Sequence, residues 1–106
     1  MQITDLGASE LSRKIHSREL SCRETMQAFL ARIRQLNASF NAVVNLAPED
    51  ALIAQADAYD KELAGGMSRG WLHGIPVAIK DAADAAGFPT TKGCELLANN
   101  KPARDS

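Results

Sequence analysis

The stretch Gly74–Asp81, which reads GIPVAIKD, is an apolar run that ends in two charged residues. In an extended strand the side chains alternate between two faces, so Ile75, Val77 and Ile79 would share one face. Lys80 would follow two small side chains on the other face. The pattern therefore predicts a strand with Lys80 at its carboxyl end.

The local pattern leaves two roles open for Lys80. Ligands of open α/β sheets collect at the carboxyl ends of strands, and an apolar setting favours a neutral lysine that can act as a base. A lysine at the end of a strand can also protect the edge of a sheet against pairing with another chain. Taken alone, the pattern favours this second, structural role.

Two helices are predicted in the first third of the chain. The second begins at the S-x-x-E capping box of Ser21 and Glu24 and is predicted to end at Asn37. Each helix carries an apolar stripe at helical spacing, which predicts one buried face. The stripe residues are Ala8, Leu11 and Ile15 in the first helix and Met26, Phe29, Leu30, Ile33 and Leu36 in the second.

A strand, a third helix and a second strand are predicted to follow. Phe40–Leu46 (FNAVVNL) predicts a short strand, and Pro48 is a suitable residue to open the next helix. Gly65–Gly66 is predicted to end that helix. A loop then leads to the strand at 75–80, and the remainder is predicted to be irregular except for a short helical turn at 95–98.

The element order α-α-β-α-β predicts an α/β fold. Two short strands are fewer than the three that a stable sheet usually needs. Residues 1–106 are therefore predicted to be the incomplete N-terminal part of a single, larger α/β domain.

Composition and charge narrow the function classes. The formal net charge of −1 gives no electrostatic footprint for nucleic acid or an anionic membrane, and no apolar stretch approaches the length of a membrane span. The N-terminus carries no secretory pattern, and Cys22 and Cys94 are expected to be reduced thiols of a cytoplasmic protein. Asp57 and Asp60 are predicted to point outward from the third helix, and no metal or cofactor is expected.

Residues 72–81 (LHGIPVAIKD), followed by Asp84-x-x-Gly87-x-Pro89-Thr90-Thr91-x-Gly93, resemble the amidase signature family. The resemblance runs over nearly the whole chain. It implies a large α/β/α domain on a mixed sheet, of which this chain would be the N-terminal α-α-β-α-β fragment. It also implies hydrolysis of carboxylic amides to acid and ammonia by a Ser–cis-Ser–Lys triad, with Lys80 as the triad base.

The resemblance also shows what these residues lack. The two serines of the family's triad lie in a glycine- and serine-rich stretch well beyond the lysine, and no such stretch occurs between Lys80 and Ser106. We therefore expect the chain alone to be inactive. A small-molecule amide would be its substrate only when the rest of the domain is supplied.

Alternatives from other classes remain open. The details around Asp81–Asp84 and Thr90–Gly93 are more similar to generic amidases than to the A-type subunit of a tRNA-dependent amidotransferase. The chain could instead be a non-catalytic interaction module, or an enzyme that forms an imine at Lys80. Exposed apolar helix faces would also allow self-association.

Overall fold

The computed structural model describes residues 2–81, 83–97 and 99–106, with the exception of the Glu95 side chain. These residues form two compact units. The first consists of the residues up to Val43 together with Pro48–Pro76, and the second of Val44–Ala47 together with Val77–Ser106.

The first unit contains the predicted helices, α1 (Ala8–His16), α2 (Cys22–Phe40) and α3 (Glu49–Ala64), preceded by a short 3₁₀ helix, Ile3–Asp5. The predicted capping box is confirmed at the start of α2. There the Ser21 hydroxyl accepts the Glu24 N–H at 2.9 Å, and the Glu24 carboxylate accepts the Ser21 N–H at 3.1 Å. Among the described residues, none of the helices is long and apolar enough to cross a bilayer.

Helices α2 and α3 form an antiparallel hairpin. Arg23, at the start of α2, pairs with Asp57 in the second half of α3 at 2.6 Å. Arg34, near the end of α2, pairs with Glu49 at the start of α3. Because both pairs are exposed, they indicate the direction of the hairpin more than they stabilise it.

Asp60 caps α2 from outside the helix. Its carboxylate accepts the N–H groups of Cys22 at 2.7 Å and Arg23 at 3.1 Å, which have no partner within α2. The prediction that Asp57 and Asp60 point outward is therefore wrong, because both carboxylates contact α2. A carboxylate at the positive end of a helix is favourable, and here it also joins two helices.

The predicted apolar stripes meet in a small core. Ile15, Cys22 and Ala56 form its centre, one from each helix. Partly buried side chains pack around them: Met26, Tyr59, Leu63 and Ile75. The stripes were therefore predicted in part: Leu11, Ile15 and Leu30 are buried, whereas Ala8 is exposed and Cys22 lay outside the predicted stripes. Ile75 brings the first residue of the predicted second strand onto this core.

The strand predicted at Phe40–Leu46 is wrong in its first part, where the chain is still helical. α2 continues to Phe40, and Asn41 ends it in the left-handed region at φ 48°. Asn37 does not end the helix. Its side-chain amide donates to the Val43 carbonyl at 2.8 Å and accepts the Val43 N–H at 2.9 Å. This local turn chemistry prevails over the apolar alternation.

The strand predicted at residues 75–80 is also absent, and the described residues contain no sheet. No N–H group of residues 77–80 donates to a described residue. Val77 and Ile79 are 71% and 62% exposed. A strand needs a paired neighbour as well as a suitable sequence, and no neighbour lies within the described residues. The α-α-β-α-β order is thus corrected to three helices followed by irregular chain.

The second unit is built from loops. Its segments 84–90 and 100–106 run in opposite directions. Thr90, the last residue of the first segment, is only 1% exposed. Three backbone bonds join the segments: Thr90 N–H to the Asn100 carbonyl (2.8 Å), Gly87 N–H to Pro102 (3.1 Å) and Ser106 N–H to Asp84 (2.9 Å). The predicted helical turn is a 3₁₀ helix, Glu95–Leu97, and Ala98 lies outside the described residues.

Gly74 lies directly against the start of α2. Its φ is +81°, and a Cβ built on it would lie 2.3 Å from the Cys22 Sγ and 3.6 Å from the Ile15 Cγ2. The backbone therefore occupies a place where no side chain fits. Gly66 has a similar φ of +84° but has no atom within 4 Å of such a Cβ.

We predict that Gly74→Ala lowers the free energy of unfolding by about 2–4 kcal/mol, because it adds overpacking to the strain of a positive φ. Gly66→Ala is the matched control and should cost about 1 kcal/mol, since only the strain applies. Denaturant unfolding measures both variants. Equal losses would contradict the close packing at Gly74.

We also predict that the two thiols differ in reactivity. Burial, together with the Asp60 carboxylate, raises the pKa of Cys22 to about 12, whereas Cys94 is exposed. Because the thiolate is the reactive form, an aromatic disulfide reagent at pH 8 should label Cys94 in the folded chain and Cys22 only after denaturant is added. Cys94→Ser should then show no fast labelling. Fast reaction of both thiols in the native chain would contradict this packing.

Candidate functional site

Lys80 lies on the exposed segment 77–80 of the second unit. Its backbone carbonyl accepts the Ala83 N–H at 2.9 Å. Among the described residues, its ammonium takes part in none of the ion pairs. Lys80 is therefore placed at the surface of its unit, and its chemistry is not defined by a partner in this part of the chain.

Asp81, the next residue, is held by the turn at residues 91–93. One carboxylate oxygen accepts the Thr91 N–H at 2.8 Å, and the other accepts the Thr91 hydroxyl. The Lys92 N–H donates to the Asp81 backbone carbonyl at 3.1 Å. The turn itself passes through the left-handed region at Lys92 (φ 54°) and Gly93 (φ 71°). Side chain and backbone of Asp81 are thus both fastened to one turn.

The pKa of Asp81 reflects these contacts. The Thr91 hydroxyl, and after it the Thr91 backbone N–H, hold the pKa of this carboxyl below its usual range. The Gly93 backbone N–H and the Asn45 side chain act in the same direction, and partial burial opposes them. Donors directed at a carboxyl favour its ionised form. Asp81 is therefore an anion that receives hydrogen bonds.

Lys80 is identifiable from the sequence, whereas this role of Asp81 is not. From the pattern alone, the aspartate is one half of a charged pair at a strand end. A signal was present in Thr91-Lys92-Gly93, because a hydroxyl residue followed by a glycine is typical of a turn that offers N–H donors to a side chain. The ten-residue separation hid the connection.

His73 fastens the glycine-rich loop to α3 in the first unit. Its Nδ1 accepts the Arg69 N–H at 3.1 Å, and its Nε2 donates to the Tyr59 carbonyl at 2.9 Å. One nitrogen accepts and the other donates, so the buried ring is the neutral Nε2–H tautomer. Arg69 also pairs with Glu62 at 2.7 Å, which holds the pKa of the Glu62 carboxyl below its usual range. The loop predicted after the third helix is therefore bonded to α3.

A second histidine meets a serine on the other side of the same loop. His16 Nδ1 lies 2.8 Å from the Ser12 carbonyl, so this nitrogen carries the proton. Its Nε2 is left to accept the Ser68 hydroxyl at 2.8 Å. The Ser68 hydroxyl also lies 3.1 Å from the Gly70 carbonyl and 3.2 Å from the Gly70 N–H. This serine–histidine contact joins α1 to the loop, and neither residue was singled out from the sequence.

Acidic and thiol side chains are dispersed. Within residues 2–81, 83–97 and 99–106, no group of three or more His, Cys, Asp or Glu side chains is placed to hold a metal ion. Asp57 and Asp60 of α3 both bind Arg23 at the start of α2. The segment around Lys80 and Asp81 is thus the candidate site, because it combines a lysine amine with a carboxylate that is held by hydrogen bonds.

Comparison with known proteins places this site in a family. A family model described as Amidase matches residues 24–106, which include the whole of GIPVAIKD. An amidase of Gibberella zeae is 40% identical over an alignment of 107 positions that covers 100% of this chain and 19% of the relative. The chain thus spans about a fifth of the length of the curated relatives it matches.

Two further relatives carry another description, that of the A-type subunit of a glutamyl-tRNA(Gln) amidotransferase. The subunit from Bdellovibrio bacteriovorus is 35% identical over 100% of this chain and 21% of the relative. The corresponding subunit from Rhodococcus erythropolis is 43% identical over 90% of this chain and 19% of the relative. The amidase and the two amidotransferase subunits are similarly identical to this chain, so the preference for generic amidases stays a prediction.

A solved structure is similar to this chain in fold and sequence. It comes from a vestigial protein complex that reveals the evolutionary origins of an s-triazine catabolic enzyme, and it matches with a TM-score of 0.84 and 26% identity. The match covers 95% of this chain and 22% of that structure. With the family model matched over most of its length, the chain belongs to the amidase family.

Proposed function

We propose that this chain forms the lysine-bearing N-terminal segment of an amidase domain that hydrolyses carboxylic amides to acid and ammonia. The observation that carries the proposal is the family match over residues 24–106, within which Lys80 lies near the end of the GIPVAIKD stretch. The substrate class and the triad come from the family resemblance.

In this proposal Lys80 is the terminal base of a serine relay. A neutral lysine amine accepts the proton of a bridging serine, which in turn accepts the proton of the nucleophilic serine. The nucleophilic oxygen attacks the amide carbon, the amine departs with a proton, and water hydrolyses the acyl-enzyme. Both serines and the donors to the oxyanion would come from outside residues 1–106, so the chain alone is expected to be inactive.

The residues before Lys80 have the features of a strand that pairs with a further segment of an amidase domain. Val77 and Ile79 are mostly exposed, and the N–H groups of residues 77–80 have no acceptor among the described residues. Exposed apolar side chains together with free backbone donors are what an unpaired strand presents. We infer that a neighbouring strand from the rest of an amidase domain covers this segment and encloses Lys80.

A role as part of the A-type subunit of an amidotransferase is the second candidate, and the Bdellovibrio and Rhodococcus relatives favour it. Both candidates share amide chemistry at Lys80 but differ in the acceptor of the nitrogen. Ammonia release from a simple amide supports the first candidate. Activity that requires glutamyl-tRNA(Gln) would support the second.

The non-catalytic module and self-association are tested by solution behaviour. Phe40 at the end of α2 and Trp71 in the loop are 72% and 59% exposed, which leaves apolar surface for a partner. An incomplete domain should associate in size-exclusion chromatography, whereas an independent module should be monomeric and unfold cooperatively.

We predict that a chimera in which this chain replaces the matching N-terminal segment of the Gibberella zeae amidase hydrolyses the amides that the parent enzyme accepts. Lys80→Ala in the chimera should reduce kcat/KM by at least about 100-fold, because general-base catalysis contributes that much. Lys101→Ala is the control, since Lys101 is an exposed lysine of the same unit.

Ammonia release is measured for the chimera and for its Lys80→Ala and Lys101→Ala variants. The isolated 106-residue chain should release no more ammonia than its own Lys80→Ala variant. An active chimera that is insensitive to Lys80→Ala would contradict the proposed role of Lys80. Borohydride trapping of a carbonyl compound on Lys80 would instead support imine formation.

A further inference from the structure

We propose that Asp81 is a positioning residue for Lys80: its carboxylate, held by the Thr91 turn, fixes the backbone from which the lysine side chain departs. The inference rests on the proposed function of Lys80. It assigns to Asp81 a task in the reaction that is separate from being a charge next to the lysine.

The backbone is held by hydrogen bonds directly after the lysine. The peptide group between Lys80 and Asp81 is held at its oxygen by the Ala83 N–H at 2.9 Å. The next carbonyl, that of Asp81, is held by the Lys92 N–H at 3.1 Å. Each residue has only two soft backbone torsions, so fixing two successive carbonyls leaves little freedom to the backbone of Lys80 on this side.

The segment before Lys80 provides no comparable anchor. The N–H groups of residues 77–80 find no acceptor among the described residues, and their side chains are exposed. Within the second unit, the direction of the lysine side chain therefore depends on the residues that come after it. The Asp81 carboxylate is the side chain that joins residues 80–81 to the 91–93 turn.

The contacts favour an ionised carboxylate. Its two Thr91 partners, the hydroxyl and the backbone N–H, are both donors, and an ionised carboxylate can accept at both oxygens. The lowered pKa of Asp81 agrees with this preference for the ionised form. In Asp81→Asn the remaining oxygen can accept the Thr91 N–H, but the new NH₂ group meets the Thr91 hydroxyl, which would have to turn from donor to acceptor. The residue would keep its size and lose the charge that strengthens both bonds.

A direct electrostatic role is a different idea and is disfavoured by the orientation of the carboxylate. Both oxygens are directed to Thr91, and no Lys80–Asp81 ion pair occurs among the described residues. A positioning role predicts coupling between Asp81 and Thr91. A charge partner would act without Thr91.

The first test uses the 106-residue chain and does not depend on amidase activity. We predict that Asp81→Asn lowers the order parameter of the Lys80 N–H in ¹⁵N relaxation and speeds hydrogen exchange at Thr91. Asp105→Asn is the matched control, because Asp105 accepts one N–H, from Ala86 in the same unit, and an asparagine oxygen can still accept it. Unchanged order at Lys80 with an opened Thr91 turn would overturn the proposal.

The second test uses the active chimera. Asp81→Asn should lower kcat by about 10- to 100-fold with KM within about twofold, since a misplacement of roughly 1 Å is enough for such a loss. Thr91→Val should produce a similar loss, Thr91→Ser should retain activity, and the double variant Asp81→Asn/Thr91→Val should be no worse than either single variant.

These outcomes separate the two proposals. A chimera without any activity speaks against the proposed function, while the relaxation measurement still decides on Asp81. Additive losses for the Asp81 and Thr91 variants would contradict positioning through Thr91. A kcat loss that disappears when rates are normalised to the folded fraction, measured by circular dichroism, would show that Asp81 only stabilises the unit.

The same contacts predict a pH dependence. Because the pKa of Asp81 is lowered in the folded chain, its stabilising bonds are present above the ordinary aspartate value of about 3.9 and are lost as the pH falls through the lower, folded value. The groups around the carboxyl (Thr91, Gly93 and Asn45) do not titrate. Exchange protection at Thr91 should therefore fall only below about pH 3.9. Loss of protection at pH 5–6 would contradict it.

Discussion

The close approach of Gly74 to Cys22 is the contact on which the first unit depends. A Cβ at residue 74 would lie 2.3 Å from the Cys22 Sγ, so the chain passes at a distance that only glycine permits. At this point the loop after α3 meets the start of α2 and the Ile15 side chain of α1. Ile75 can then join the core. The first residue of the apolar run is thereby fixed, before the run continues toward Lys80.

The end of the run is fixed in a different way. There the Asp81 carboxylate accepts hydrogen bonds from the Thr91 turn of the second unit. Packing determines one end and directed hydrogen bonds the other, while residues 77–80 between them remain exposed. An exposed apolar segment with ordered ends is suited to receive a neighbouring strand. This arrangement connects the local structure to the amidase family, in which we propose that Lys80 works with serines from beyond these residues.

Much of the helical unit could be predicted from the sequence because its causes are local. The capping box of Ser21 and the apolar stripes depend on residues three and four positions apart. The strands could not be decided in this way, since a strand requires a partner that the pattern does not contain. The extension of α2 past Asn37 followed from a side-chain bond to Val43. At the site, the local pattern singled out Lys80 and the family resemblance gave it a role, whereas the bonds between Asp81 and Thr91 span ten residues and became visible only in the structure.

We infer that the segment before Lys80 takes up its final structure only within a complete amidase domain. Hydrogen exchange at the amides of residues 77–80, measured by mass spectrometry in the isolated chain and in the chimera with the Gibberella zeae amidase, is the decisive measurement. We expect rapid exchange in the isolated chain, where these N–H groups have no described acceptor, and strong protection in the chimera. Equal exchange of these amides in both proteins would contradict it.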